Sequence, residues 1–382
     1  MRIVILTSDN RERYKDYNNR IPSVGPAPEA LLQGFAALGK EVEVHVIACL
    51  QKPAPAIEKM ADNMWYHGLH VPKIGWLRTV YQGCIRAAKK KIREIQPDIV
   101  HGQGTERDCS LCAIFSGFPN VMTIHGNMKA IEKYHSALPG SFYWMSARLE
   151  TFALKRTYGV FCNSGYTEGL VAPRARRTWR VPNALRTPFF ETPLELKKSD
   201  PPVLLNIGEI FTRKQQLELL GVARKLHQRG LRFELQFIGA IEADTDYSRQ
   251  FLREIAEAQK AGYARHLGKL SVNELIKTMD AASALIHCPS EEAFGLVVAE
   301  AMARNLKFFG SAVGGIVDIS SGVEGAELFP DGDWTALENQ IARWLEAGSP
   351  IPQTARETTH ARYAPEVVAR RHVEIYRSVL GV

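Results

Sequence analysis

From Ile3 onward the chain alternates short β-branched runs with longer segments of helical period, and it does so twice, on either side of a stretch that shows neither pattern. That alternation is the pattern of βαβ units, in which helical crossovers join the parallel strands of one sheet. In the first half the predicted strands are 3–6, 42–47, 99–101, 121–124 and 160–162; in the second they are 203–207, 233–238, 284–287 and 306–309. Between the two series lies PNALRTPFFETPLELKKSDPP, residues 182–202, rich in proline and charge and without a period, which reads as an interdomain linker. A chain of 382 residues also exceeds what one core usually serves. The predicted fold is therefore α/β, with two doubly wound domains in series.

Composition narrows the class. With 45% apolar and 23% charged residues the balance is that of a soluble globular protein. The N-terminal apolar run, Ile3 to Leu6, is too short for a signal-peptide core, and no apolar stretch is long enough to cross a bilayer, so a cytoplasmic location is expected. Six scattered cysteines suit reduced thiols; the pair Cys109 and Cys112 has helical i, i+3 spacing and, with no second pair beside it in the sequence, reads as packing rather than a zinc site. Charge is uneven: 26 basic and 15 acidic residues precede Thr187 and 22 and 26 follow, net +11 and −4. A basic first half attracts phosphates or anionic lipid head groups. IRAAKKKIREIQ fits a solvated helix face, whereas Arg174, Arg176, Arg177 and Arg180 fall in loop-like sequence. No helix-turn-helix, zinc or aromatic-platform motif points to nucleic acid.

Doubly wound sheets bind ligands beyond the carboxyl ends of their strands, so the loops there carry the chemistry. In HCPSEEAFGLVVAEAMAR a plain core helix accounts for Leu296, Val297 and Met302, and for Glu300 as an i, i+4 partner of Arg304. It leaves Glu292, Phe294 and Gly295 unexplained. A helix starting near Gly295 presents free backbone N–H groups to an anion. Glu292 stands just before it and Glu300 about a turn and a half inside. Carboxylates so placed accept hydrogen bonds from hydroxyls on either side of the anion, and a diphosphate between two polyols is a nucleotide sugar. In NIGEIFTRKQQ, residues 206–216, Gly208 permits a tight exit from the strand, and Arg213 and Lys214 supply cations for a diphosphate leaving group.

PSEEAFGLVVAEAMA resembles the donor-site signature of the retaining GT-B glycosyltransferases of family 4, whose two glutamates are separated by seven residues, as Glu292 and Glu300 are. SVGPAPEALLQGFAALGKEVEVHVI, PDIVHGQG, TIHGN, VFCNSGYT, VPNAL, the NIGE and RK loop, FIGA, RHLGKL and SAVGGIVDIS follow in the family's order. The resemblance implies two Rossmann-like domains facing a central cleft: residues 1–185 on the acceptor side, 186–362 binding the donor, and a last helix, 363–382, packing back on the first domain. It implies metal-independent, retaining transfer of a hexosyl-type sugar from a UDP- or GDP-linked donor to a glycan, glycolipid or small-molecule hydroxyl, in polysaccharide biosynthesis or related pathways. Glu292 would contact the transferred sugar and Glu300 the ribose; Phe294, Gly295 and Leu296 would lie along sugar and diphosphate. Lys214 would bind the diphosphate, with Gly208 and Arg213 beside it, and Lys269 and Leu270 would border the base. From the first domain Gly25 would approach the donor and His125 would lie near sugar and acceptor; without the resemblance His125 reads as an ordinary strand-end histidine.

The sequence departs from the family pattern in three places: Val24 and Pro26 flank Gly25 where a second glycine is common, Ala293 replaces a glycine, and Glu209 stands where an arginine often contacts phosphate. With no nucleophile evident, same-face substitution within an ion pair is the expected course. The rival readings are a nucleotide-sugar epimerase of the same fold and a non-catalytic basic protein of membrane surfaces. Peripheral contact with the inner membrane face, through the basic first domain, would also be compatible with the enzyme. The segment 141–156, SFYWMSARLETFALKR, is expected to be a core helix closing that domain.

Overall fold

The computed structural model describes residues 1–55, 57–74, 76–195, 199–241 and 244–382. It divides into two compact units, Met1–Arg186 together with Tyr363–Val382, and Thr187–Arg362.

The first unit is built on eight strands: β1 (Arg2–Leu6), β2 (Glu43–Leu50), β3 (Lys59–Ala61), β4 (Met64–His70), β5 (Ile99–Gln103), β6 (Asn120–Ile124), β7 (Val160–Cys162) and β8 (Thr178–Arg180). Their order is β3-β4-β2-β1-β5-β6-β7-β8, and only the β3–β4 pairing is antiparallel. Ile3, Val4, Ile5 and Leu6 are all buried, as a strand covered on both faces requires. Because β1 lies between β2 and β5, the winding reverses there, and the loops after β1 and β5 flank a crevice. Three strands escaped the periodicity: β4 mixes His67, Gly68 and His70 into its run, and β3 and β8 are three-residue edges. The arginine cluster is correspondingly less free than its sequence suggests. Arg180 lies in β8 and pairs with Glu168 at 3.0 Å, and Arg174 pairs with the buried Glu150 at 2.7 Å.

Residues 142–154 form a helix capped by Ser141, with Ala153 buried and Leu149 and Phe152 packed on the core, as expected. No helix among the described residues is long and apolar enough to cross a membrane. The final helix, Pro365–Leu380, lies against the helix Pro26–Ala37. Gly34 allows the approach, since a Cβ there would come within 2.1 Å of the Pro365 carbonyl oxygen.

The second unit carries β9 (Val203–Ile207), β10 (Glu234–Ile238), β11 (Ala264–His266), β12 (Ala284–His287), β13 (Lys307–Ser311) and β14 (Ala326–Phe329), all parallel, in the order β11-β10-β9-β12-β13-β14. Here the winding reverses between β9 and β12. The outer strands β11 and β14 went unpredicted because ARH and AELF are short edges with little β-branching. The boundary between the units, Arg186/Thr187, falls within the stretch expected as the linker; residues 196–198 of that stretch lie outside the described residues, and the part before them has structure of its own. Pro188–Glu191 is a short helix, Phe189 is fully buried, and the carbonyls of Phe189, Thr192 and Pro193 accept hydrogen bonds from Arg304. A buried guanidinium needs all its donors met, and this stretch meets three of them.

Candidate functional site

The switch point of the second unit brings together the two loops singled out in the sequence. Gly208, after β9, has φ 157, and the backbone turns there so that its open side lies beside the aliphatic stem of Lys214. Lys214 ends a single 3₁₀ turn, Thr212–Lys214. Across from it, the loop after β12 carries Glu292. The two loops are stitched together by Ser290 N–H donating to the Arg213 carbonyl at 2.9 Å, while Ser311 Oγ donates to the Pro289 carbonyl at 2.8 Å from β13.

Lys214 Nζ lies 2.6 Å from Glu292 Oε2, and His287 Nε2, at the end of β12, lies 3.3 Å from the same oxygen. Burial by itself would raise the Glu292 carboxyl, but Lys214 and His287 outweigh it and hold it well below the usual carboxylate range. Burial, and then the nearby Lys214, lower His287, against the pull of Glu292. Both hydrogen bonds fall on Oε2, so Glu292 retains Oε1 as an acceptor and Lys214 retains two N–H donors. Arg213, stacked on Phe211 with its Nε buried and unpartnered, adds a second cation 4.0 Å from Glu291. Glu209 is exposed, and its carbonyl accepts from Gln216.

Gly295, with φ 94, caps the helix Leu296–Met302. Phe294 is buried beneath it and Leu296 half-buried. Glu300 lies inside this helix at 6% exposure. Its expected i, i+4 partner is elsewhere: Arg304 gives all five N–H groups to Asp280 and to the carbonyls of Phe189, Thr192 and Pro193. Glu300 is therefore not the i, i+4 partner of Arg304. Lys269 and Leu270 follow β11, the first exposed and the second half-buried. They are tied in through backbone, because Gly239 N–H donates to the Gly268 carbonyl and a Cβ at Gly239 would stand 1.9 Å from the Gly208 carbonyl oxygen.

Two groups of residues were missed as parts of the site. Gly314 and Gly315, in SAVGGIVDIS, press on the glutamate loop: a Cβ on either would come within 2.0 and 2.3 Å of the carbonyl oxygens of Glu292 and Ala293, and Gly315 N–H donates to the former at 2.9 Å. The adjacent glycines were visible in the sequence, but their target was not. His287 offered no signal beyond ending a strand.

Gly25 and His125 belong to the first unit. Gly25 is the N-cap of the helix Pro26–Ala37, which explains Pro26, a residue suited to the first helical position. Its φ of −64 and the ordinary contact that a Cβ would make, 3.7 Å from Pro28 Cδ, impose no need for glycine on local grounds. His125 follows β6, and a buried chain of hydrogen bonds fixes its tautomer. Its Nε2 donates to Gln103 Oε1 (2.9 Å), Gln103 Nε2 donates to His101 Nε2 (3.2 Å), and His101 Nδ1 then donates to Tyr376 Oη (2.5 Å) on the last helix. His125 Nδ1 is left as a buried acceptor without a partner. Burial lowers this imidazole to about 4, keeping it neutral.

Residues 191–362 match the family described as glycosyl transferases group 1, and residues 29–187 match glycosyltransferase family 4. The chain belongs to the group 1, family 4 glycosyltransferases. Its two Rossmann-like units have solved counterparts of GT-B type. Sucrose-phosphate synthase from Thermosynechococcus elongatus is 18% identical with a TM-score of 0.76, over 100% of this chain and 99% of that one. Anabaena HepE, in complex with UDP and glucose, is 16% identical with a TM-score of 0.72, over 99% and 100%. A glycosyltransferase from Rickettsia africae is 15% identical with a TM-score of 0.68, over 99% and 98%. A search of curated proteins finds no match. For this glycosyltransferase, Lys214 and Glu292 sit where a doubly wound domain binds its ligand.

Proposed function

We propose that the chain moves a sugar from a nucleotide-sugar donor to an acceptor hydroxyl with retention at the anomeric carbon. The observation that carries this reading is the 2.6 Å pair of Lys214 and Glu292 at the β9/β12 switch point. The two free donors of Lys214 meet diphosphate oxygens, Glu292 Oε1 accepts from a hydroxyl of the transferred sugar, and Glu300 serves the ribose. As the bond to the leaving diphosphate breaks, charge develops within reach of Lys214 and Arg213, so the chain's own cations stabilise it without calling on a metal. A preorganised donor of this sort contributes about 10²-fold or more in rate. His125, held as an Nδ1 acceptor, takes a hydrogen bond from a hydroxyl of sugar or acceptor. Phe294, Gly295 and Leu296 line the sugar and diphosphate, and Lys269 and Leu270 the base.

HepE structures hold UDP and UDP-glucose, which makes uridine donors the first to test and guanosine donors the second. The acceptor class is a sugar, glycolipid or small molecule. The net charge of +11 before Thr187 supports weak contact with anionic membrane surfaces, measurable as salt-sensitive sedimentation with anionic vesicles. The enzymatic test is incubation with UDP- and GDP-sugars, with and without a panel of acceptors, followed by NMR of the anomeric proton. A product of unchanged anomeric configuration, formed only with acceptor, is expected. Epimer formed from nucleotide sugar alone would overturn the reading in favour of an epimerase.

A further inference from the structure

In the first unit the chain gathers thiols that lie far apart in sequence. Cys49 is at the end of β2, Cys84 in the first turn of the helix Gln82–Ile95, and Asp108 and Cys112 at the start of the helix Cys109–Ile114. The sulfurs of Cys49 and Cys84 and a carboxylate oxygen of Asp108 all lie within 4.8 Å of one another. Cys112 Sγ donates to Asp108 Oδ2 at 3.9 Å. The four residues are 0–7% exposed.

Packing alone explains buried cysteines, but not the carboxylate among them. Among the described residues one side-chain donor, the Cys112 thiol, reaches Asp108, and no cation lies within ion-pair distance; Arg107, over the Trp76 ring at 5.2 Å, attracts the carboxylate only from farther off. A buried carboxylate with so little support is costly unless it meets a cation. Zinc held by sulfur at about 2.3 Å keeps its tetrahedral ligands roughly 3.8 Å apart; Cys49, Cys84 and Asp108 already lie near that spacing, and Cys112, next to Asp108 but outside the trio, has to turn its Sγ toward it to serve as the fourth ligand.

We propose that Cys49, Cys84, Cys112 and Asp108 form a structural zinc site, closed to substrate and separate from the sugar-transfer residues. Each thiol gives up its proton as it ligates, so three protons leave per Zn²⁺ bound, and four anionic ligands leave the same net charge as a four-thiolate site. The metal cross-links the end of β2, the helix Gln82–Ile95 and the loop after β5. That loop carries Glu106, whose Oε1 accepts from Gly126 N–H beside His125.

The test is metal analysis of the full chain purified without chelator from zinc-supplemented medium. About one zinc per chain is expected in the parent and in the Cys109→Ser control, and less than a tenth in Cys84→Ser and Asp108→Ala. Cobalt in place of zinc should show thiolate charge-transfer absorption and a tetrahedral d–d band. The parent alone decides if the variants fail to fold. Zinc below a tenth per chain after incubation with excess Zn²⁺, or a cobalt spectrum without the thiolate band, as imidazole ligands such as His45 of β2 and His67 of β4, 3.0 Å apart, would give, overturns the site.

Discussion

Lys214 and Glu292 neutralise each other, at 15% and 19% side-chain exposure, before any substrate arrives. Removing one partner strands the other, so on the proposed reading Lys214→Ala removes a cation from the diphosphate as well as the alignment of Glu292. At least a 10²-fold loss in kcat/KM is expected; a loss under threefold would contradict the role. Glu292→Gln keeps the shape and loses a charged acceptor, worth about 1.5 to 3 kcal/mol in hydrogen bonding to the sugar. His125 makes a pH prediction. Its folded pKa is depressed to about 4, below the ordinary 6.5, so the stability it contributes is whole above 6.5 and is lost as pH falls through 4. Its ring resonances should stay those of a neutral Nε2–H imidazole from pH 8 down to 5.5. Gln103→Glu, which puts a carboxylate on that N–H, should raise the midpoint by a unit or more; an unmoved midpoint would show that the hydrogen-bonded chain does not govern it.

The elements that place these residues were legible to different degrees. Buried central strands such as VLLNI and ALIH announced themselves through continuous apolar runs, and with them came the loops that follow, including Gly208, Lys214, Glu292 and Gly295. The edges ARH, AELF and TWR did not, because a short half-covered strand has no hydrophobic period to show. Close backbone approach is equally silent in sequence. That Gly314 and Gly315 support the glutamate loop depends on β13 lying beside β12, which no local pattern encodes. Gly315→Ala should push the 292–294 loop aside and raise KM for the donor at least tenfold, with little effect on the first unit. Donor kinetics equal to the parent's would mean the loop tolerates the added methyl group.

At the scale of the whole molecule, the last helix leaves the unit that precedes it in sequence and joins the first, where Tyr376 is fully buried and ends the chain of hydrogen bonds from His125. A Cβ at Gly34 would strike the Pro365 backbone, so Gly34→Val should destabilise the first unit by about 2 to 4 kcal/mol, read as an earlier transition in urea. The helix itself was plain from residues 365–380; which unit received it came from family resemblance, since periodicity says that a face is buried but not against what. The same limit hid the cysteine cluster, whose members lie 35, 24 and 4 residues apart.

On the proposed function, the β9/β12 switch point holds the diphosphate of a nucleotide sugar. Calorimetric titration of UDP and GDP into the parent chain and Lys214→Ala tests it most directly. Saturable binding of one nucleotide to the parent, weakened at least tenfold in Lys214→Ala, is the predicted result. Binding that Lys214→Ala leaves unchanged, or no binding of either nucleotide to the folded parent, would contradict it.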